Sequence, residues 1–275
     1  MTIGLLHPGE MGSMVGAAAR AGGARVLWSA RGRGSSTQAR ARAAGLEDAG
    51  SLAALVAASD VILSVCPPHA AVDVAREVAG LGFGRVFVDA NAVSPATARE
   101  VGALVEKAGA TFVDGGIIGP PPQARGSTRL YLSGDHAPRV AALFDGSALE
   151  ARVIEGGPGA ASALKMAYAG WTKGSAALLL AVRALAAAEG VDAALLREWS
   201  LSQPDLPARS EGAAKGNARK AWRFVGEMEE IAATFASAGL PDGFHQASAE
   251  IYRRLEAYKD TTPPPVDELV RTLVR

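Results

Sequence analysis

The sequence predicts an α/β chain in which a doubly wound, mainly parallel sheet is followed by an all-helical domain. Three observations carry that expectation. Short apolar runs alternate with Ala-rich amphipathic stretches over the first half, the signature of strand–helix–strand units. A glycine-bearing turn, HPGEMG, directly follows the first run. After GPGAAS at residue 157 the strand signals stop, so the expected domains are 1–156 and 157–275.

The runs TIGLL, ARVLWSA, VILSV, GRVFVDA, TFVDGG and RLYLSG have the length and continuous apolarity of strands buried on both faces. Between them MVGAAARAG, LAALVAA, AAVDVAREVAG and PATAREVGALVEKAG read as helices, the last two ending at Gly. In the second half the pattern predicts helices over 160–189, 191–201, 209–238 and 241–258, and a short one after Pro263, Pro264 and Pro265. The helix 160–189 is apolar around most of its circumference, so it is expected to be buried on nearly all sides, one of them by a second subunit. A homodimer through the helical domain follows. The terminal segment, apolar at Val266, Leu269, Val270 and Leu273, is expected to dock, on a site the sequence does not choose.

Composition narrows the classes. The 275 residues carry 28 Lys plus Arg against 28 Asp plus Glu, so no global field attracts nucleic acid or an anionic membrane. A single cysteine, Cys66, gives no disulfide framework or thiolate cluster and fits a reducing compartment. No signal peptide and no membrane span is read, which makes the expected location cytoplasmic. Four dispersed histidines predict no metal site.

The turn HPGEMG matches the last two glycines of G-x-G-x-x-G and places His7 at the first. Following the first strand and opening a helix, Gly9, Glu10, Met11 and Gly12 are expected to receive a pyrophosphate on the helix N-terminus. Past the second strand an NAD site would show an acidic residue; here stand Ser29, Arg31, Arg33 and Ser35. Guanidiniums and hydroxyls suit the 2′-phosphate of NADP(H).

With that loop, the segments VDANAVSP (88–95), FVDGGIIGPPPQARGST (112–128) and GAASALKMAYAGWTKG (159–174) resemble the β-hydroxyacid dehydrogenase and 6-phosphogluconate dehydrogenase superfamily. The resemblance covers most of the chain. It implies a Rossmann-type domain followed by a helical, dimer-forming one, with Lys165 as the catalytic lysine and Asn91 beside nicotinamide and substrate. It also implies that Cys66 and Pro67 lie in a loop over the cofactor. Three departures accompany it. The family's Ser-Gly-Gly is here Ile118, Gly119, Pro120; the amides after the lysine are Tyr168 and Ala169; and its later Lys-Asp is Gly226-Glu227. These remove anchors for a substrate carboxylate, and Arg125, Arg129, Lys220 and Arg223 are candidate replacements.

The chemistry follows from charge. Hydride reaching a carbonyl carbon leaves negative charge on oxygen, which a partly desolvated Lys165 would stabilise and protonate. Tyr168 and Thr172, three and seven residues on, continue a polar line that makes Tyr168 a catalytic candidate. Ile118, Gly119, Trp171, Thr172 and His245 are the candidate substrate contacts, and His69 is read as a helix cap. The expected activity is therefore an NADPH-dependent reductase, or the reverse dehydrogenase, on a small oxo or hydroxy compound. An imine reductase and a non-catalytic NADPH-binding protein are the alternatives.

Overall fold

The computed structural model describes residues 1–259 and 261–274, and divides into two compact units, 1–166 and 167–275.

The first unit alternates strands and helices: β1 Thr2–Leu6, α1 Glu10–Ala21, β2 Arg25–Trp28, α2 Ser35–Ala43, β3 Glu47–Asp48, α3 Leu52–Ala58, β4 Val61–Ser64, α4 Ala71–Gly80, β5 Val86–Asp89, α5 Pro95–Lys107, β6 Thr111–Ile118, β7 Thr128–Ser133, α6 Ala137–Ala141 and β8 Leu149–Val153. They form one sheet of order β3-β2-β1-β4-β5-β6-β7-β8, parallel except where β7 runs against β6. Period-two alternation sends Ile3, Leu5, Leu63 and Val88 into the core on one face, and Leu6, Ile62 and Phe87 into the core on the other. The strand order reverses between β1 and β4. Ligands of doubly wound sheets bind at such a reversal, beyond the carboxyl ends of the strands.

Two strands escaped the sequence reading. β3 is two charged residues long, and β8, LEARV, is an edge strand whose Glu150 and Arg152 break the apolar run. His69 does not cap a helix: it lies exposed in a short 3-10 turn, Pro68–Ala70, without a side-chain cap bond.

The second unit is helical. α7, Ala160–Ala188, begins in the first unit and continues into it, followed by α8 Asp192–Ser202, α9 Leu206–Asn217, α10 Ala221–Ser237, α11 Gly243–Arg254 and α12 Val266–Arg271. The helix expected over 209–238 is interrupted by a 3-10 turn, Ala218–Lys220, just after Gly216 and Asn217, weak helix formers. The terminal segment docks inside the helical unit: Val266, Leu269, Val270 and Leu273 are all buried, and Arg254 donates to the Leu273 carbonyl at 2.7 Å.

The centre of this unit holds a charge that the sequence reading treated only as a break. Arg183 is 2% exposed; it donates to Asp192 at 2.5 and 2.9 Å, to Ser210 Oγ at 3.0 Å and to Asp267 at 3.3 Å. One guanidinium thereby ties α7, α8, α9 and α12. Within the single chain α7 is not buried on every side, and one side is left open. Tyr168, Trp171, Leu178 and Leu185 stay exposed, Trp171 at 69%, and their spacing of three, seven and seven residues makes one stripe along the helix.

Candidate active site

The loop between β1 and α1 is built around a backbone constraint. His7 has φ 63, the one non-glycine with positive φ among the described residues; a left-handed residue with a Cβ costs about 1 kcal/mol or more relative to glycine. Its carbonyl accepts the Gly9 N–H at 2.7 Å, and a Cβ at Gly12 would stand 2.5 Å from that same oxygen. Gly12 is therefore required for α1 to approach the loop. Gly9, the N-cap, provides no side-chain cap, and a Cβ there would meet nothing within 4 Å. The start of α1 thus faces open space, the geometry a pyrophosphate needs. Met11, also expected there, packs against the sheet core, while Glu10 is exposed.

The His7 ring is half-buried with Nδ1 lacking any hydrogen-bond partner. Burial, and then the positive charge of Arg33, lower its pKa to about 4. Arg33 is anchored by its backbone: its N–H donates to Ala30 at 3.0 Å and its carbonyl accepts from Gln38 at 2.9 Å. Arg31 is exposed and lines a cavity of about 400 Å³ with Ser51, Leu52 and Glu77. Ser29 is half-buried and Ser35 exposed at the start of α2. A carboxylate does reach the end of β2, from Asp48 on β3, but one of its oxygens accepts the N–H groups of Ala30 and Gly50, at 3.1 and 2.8 Å.

At the ends of β4 and β5, Asn91 is a buried knot. Its Oδ1 accepts the Cys66 N–H at 2.5 Å, its Nδ2 donates to Ser64 Oγ at 3.1 Å, and its own N–H donates to Asp89 at 3.0 Å. The amide therefore fixes the loop carrying Cys66 and Pro67. Burial pushes the Cys66 thiol up to about 12, so it stays protonated at neutral pH and is no nucleophile.

β6 brings the remaining parts together. Asp114 is buried and accepts from Ser162 N at 3.0 Å, Ser162 Oγ at 2.6 Å and Ser133 Oγ at 3.2 Å; Ser133 Oγ in turn accepts the Ala161 N–H at 3.2 Å. The carboxylate and Ser133 hold the first turn of α7, each accepting one N–H group that has no partner within the helix. Next in β6 are Gly115 and Gly116. A Cβ at Gly115 would lie 2.9 Å from the Asp89 carbonyl, and one at Gly116 would lie 2.7 Å from the Ala161 carbonyl and 3.0 Å from the Lys165 Cβ. Two residues without side chains let the Asp89–Ala90 turn, next to Asn91, and Lys165 close on adjacent positions of one strand. Asp114 and this glycine pair were missed by sequence reasoning; the run FVDGG held both, an acidic residue and two glycines inside a buried strand.

Of the substrate candidates, Ile118 is buried, and Gly119 has φ 121 where a Cβ would strike the Ser127 carbonyl. Within the helical unit Tyr168, Trp171 and Thr172 are exposed, and the Thr172 hydroxyl donates to the Tyr168 carbonyl at 3.2 Å. His245 is buried against Gly170 and Gly174, its ring 4.2 Å from that of Phe235. Its Nδ1 has no partner, and burial lowers its pKa. Asp242, at the N-cap of its helix, makes no cap bond and accepts from Gln246 instead. Glu227 is half-buried in an ion pair with Lys173, whose ammonium stands 4.9 Å from the Phe224 ring centre and whose carbonyl accepts the Tyr252 hydroxyl at 2.8 Å. Among the candidate anion anchors, Arg125 and Arg129 donate to the Ser147 and Gly126 carbonyls, and Arg223 stacks over Trp222.

A loop opening a helix at a strand-order reversal is the setting of a nucleotide-binding domain, and the family comparison names NAD as the nucleotide. Residues 2–148 match the model of the NAD binding domain of 6-phosphogluconate dehydrogenase, and residues 186–255 match a domain of unknown function, DUF1932. The chain belongs to the 6-phosphogluconate dehydrogenase-like family. An uncharacterized 28.5 kDa protein of Methanothermus fervidus is 31% identical over 156 residues, spanning 57% of this chain and 59% of that protein. A solved conserved protein of unknown function, described as structurally similar to 3-hydroxyacid dehydrogenases, is 27% identical with TM-score 0.68, over 94% of this chain and 97% of that one. The Mycobacterium tuberculosis 3-hydroxyisobutyrate dehydrogenase, solved with L-serine, shares the fold at TM-score 0.71 and 20% identity, over 100% of this chain and 99% of that one.

Proposed function

We propose that this protein is an NADP(H)-dependent oxidoreductase acting on a small oxo or hydroxy compound, with Lys165 as general acid/base. The supporting observation is the glycine pair of β6, which lets the base of Lys165 close on Gly116 and the turn before Asn91 close on Gly115, within one stretch of the strand. Gly9, Gly12 and the first turn of α1 would hold the pyrophosphate, and Arg33 the 2′-phosphate. The bound dinucleotide supplies or accepts the hydride. As hydride reaches the carbonyl carbon, the Lys165 ammonium stabilises the charge growing on oxygen and donates its proton to that oxygen. In the oxidative direction the neutral amine removes the hydroxyl proton. Asn91 keeps the Cys66–Pro67 loop in place beside this reaction.

The family's Ser-Gly-Gly anchor is Ile118, Gly119, Pro120 here, and burial of Ile118 favours substrates without a carboxylate at that position. Reduction of a C=N bond is the second reading on this ground. The apolar stripe of α7 supports a homodimer.

Lys165→Ala is expected to lower NADPH-dependent carbonyl turnover by roughly 10²–10⁴-fold while leaving the dissociation constant for NADPH unchanged. Unaltered turnover would refute the role of the lysine. A cyclic imine outrunning every ketone and hydroxy acid would move the assignment to the second reading.

A further inference from the structure

His7 is costly where it stands. It takes the left-handed conformation that glycine would take without strain, keeps a buried Nδ1 without a hydrogen-bond partner, and lies within the field of Arg33. A residue that costs stability in two ways, by backbone strain and by an orphaned buried nitrogen, at a ligand-binding turn is a functional candidate. Arg33 points to the function, because the arginine past β2 is where a 2′-phosphate is received.

Resting on the NADP(H) reading above, we propose that His7 is a specificity-determining residue which, with Arg33, receives the 2′-phosphate and so discriminates NADPH from NADH. In the free protein, burial and the Arg33 charge keep the ring neutral. A phosphate dianion offsets the second cause and adds an attraction of its own, so the ring gains a proton as the phosphate arrives. Binding of NADPH is then coupled to proton uptake, and binding of NADH is not. Among the described residues, the charged and titratable groups at this end of the sheet include Arg31 and Arg33 past β2, Asp48 at the end of β3, Glu10 on α1, Cys66 and His69 past β4, Asp89 at the end of β5 and Asp114 in β6. Cys66 is held protonated by burial, and the 2′-phosphate, whose own second pKa is about 6, titrates alike with wild type and variants, so the difference between their profiles isolates His7.

The test measures NADPH and NADH dissociation constants from about pH 8 to 6.5 for wild type, His7→Gly and His7→Asn. Glycine and asparagine both tolerate the left-handed backbone, so the loop is retained. Wild type is expected to bind NADPH more tightly as pH falls, by up to about tenfold per unit for one linked proton. Both variants should show flat profiles, and His7→Gly should lose about tenfold or more of the NADPH-over-NADH preference. In parallel, NMR titration of the His7 ring should show its pKa rising with adenosine 2′,5′-bisphosphate and not with adenosine 5′-phosphate. Equal preference and equal slopes in all three proteins overturn the inference while the cofactor reading stands. A rise with both nucleotides assigns the ring to the 5′-phosphate and overturns it equally. No binding of either dinucleotide overturns the cofactor reading itself.

Discussion

At the residue scale, His7 and Lys165 differ in how the chain constrains them. Lys165 sits on a regular helix and is brought in by the absence of side chains opposite it. His7 is held against its own preference, in backbone and in solvation. That has a consequence for acid stability. The folded ring resists protonation down to about pH 4, whereas the unfolded chain takes the proton near 6.5. The unfolded state therefore binds the proton first, and stability present above pH 6.5 is lost as pH falls towards 4, by at most roughly 3 kcal/mol. His245, lowered by burial too, acts in the same direction. His7→Gly is expected to be flatter than wild type between pH 6.5 and 4 in urea-unfolding measurements. At neutral pH the two should be close, because relief of the left-handed strain is offset by the larger unfolded-state entropy of glycine. Parallel curves would show that the ring is solvated in the folded protein.

At the element scale, two buried charged groups fix α7 at different points. Asp114 holds its first turn, one turn before Lys165, and Arg183 ties its last turns to α8, α9 and α12. Removing one partner of a buried ion pair costs about 3–5 kcal/mol, since the other charge is left without compensation. Asp192→Ala leaves Arg183 with Asp267 and Ser210 alone, so it is expected to lose stability up to that range and to keep its kcat once folded. Asp114→Ala should lower both stability and kcat, because the first turn of α7 carries the lysine's position. Equal kcat in both variants would separate Asp114 from the site. Neither group was legible in the sequence as a contact. Arg183 interrupts an apolar helix in the sequence and Asp114 was not singled out, because the partners are 9 to 84 residues away for the first and 19 to 48 for the second. The loop, by contrast, was legible, since a turn directly after a strand declares itself within six residues. Strand β3 was not, being held in register by pairing with β2 rather than by its own composition.

At the scale of the whole molecule, two kinds of exposed feature call for partners: the open start of α1 and the apolar stripe of α7. Tyr168, Trp171, Leu178 and Leu185 recur at the spacing of a helix seam, so the subunit interface is expected there. For the dimer proposed above, Leu178→Asp with Leu185→Asp should bring the mass down to that of the monomer in sedimentation equilibrium; a dimer mass kept by the variant would place the interface elsewhere, and a monomeric wild type would overturn the dimer. The sequence was informative about this stripe only in part, because an all-apolar helix does not say which face its own chain covers. Cofactor binding rests on the loop, which is most directly tested by titrating the protein with NADPH and with NADH while following tryptophan fluorescence. Saturable quenching by NADPH, with NADH about tenfold weaker or more, is the predicted result. Saturation by neither dinucleotide, or tighter binding of NADH, would contradict it.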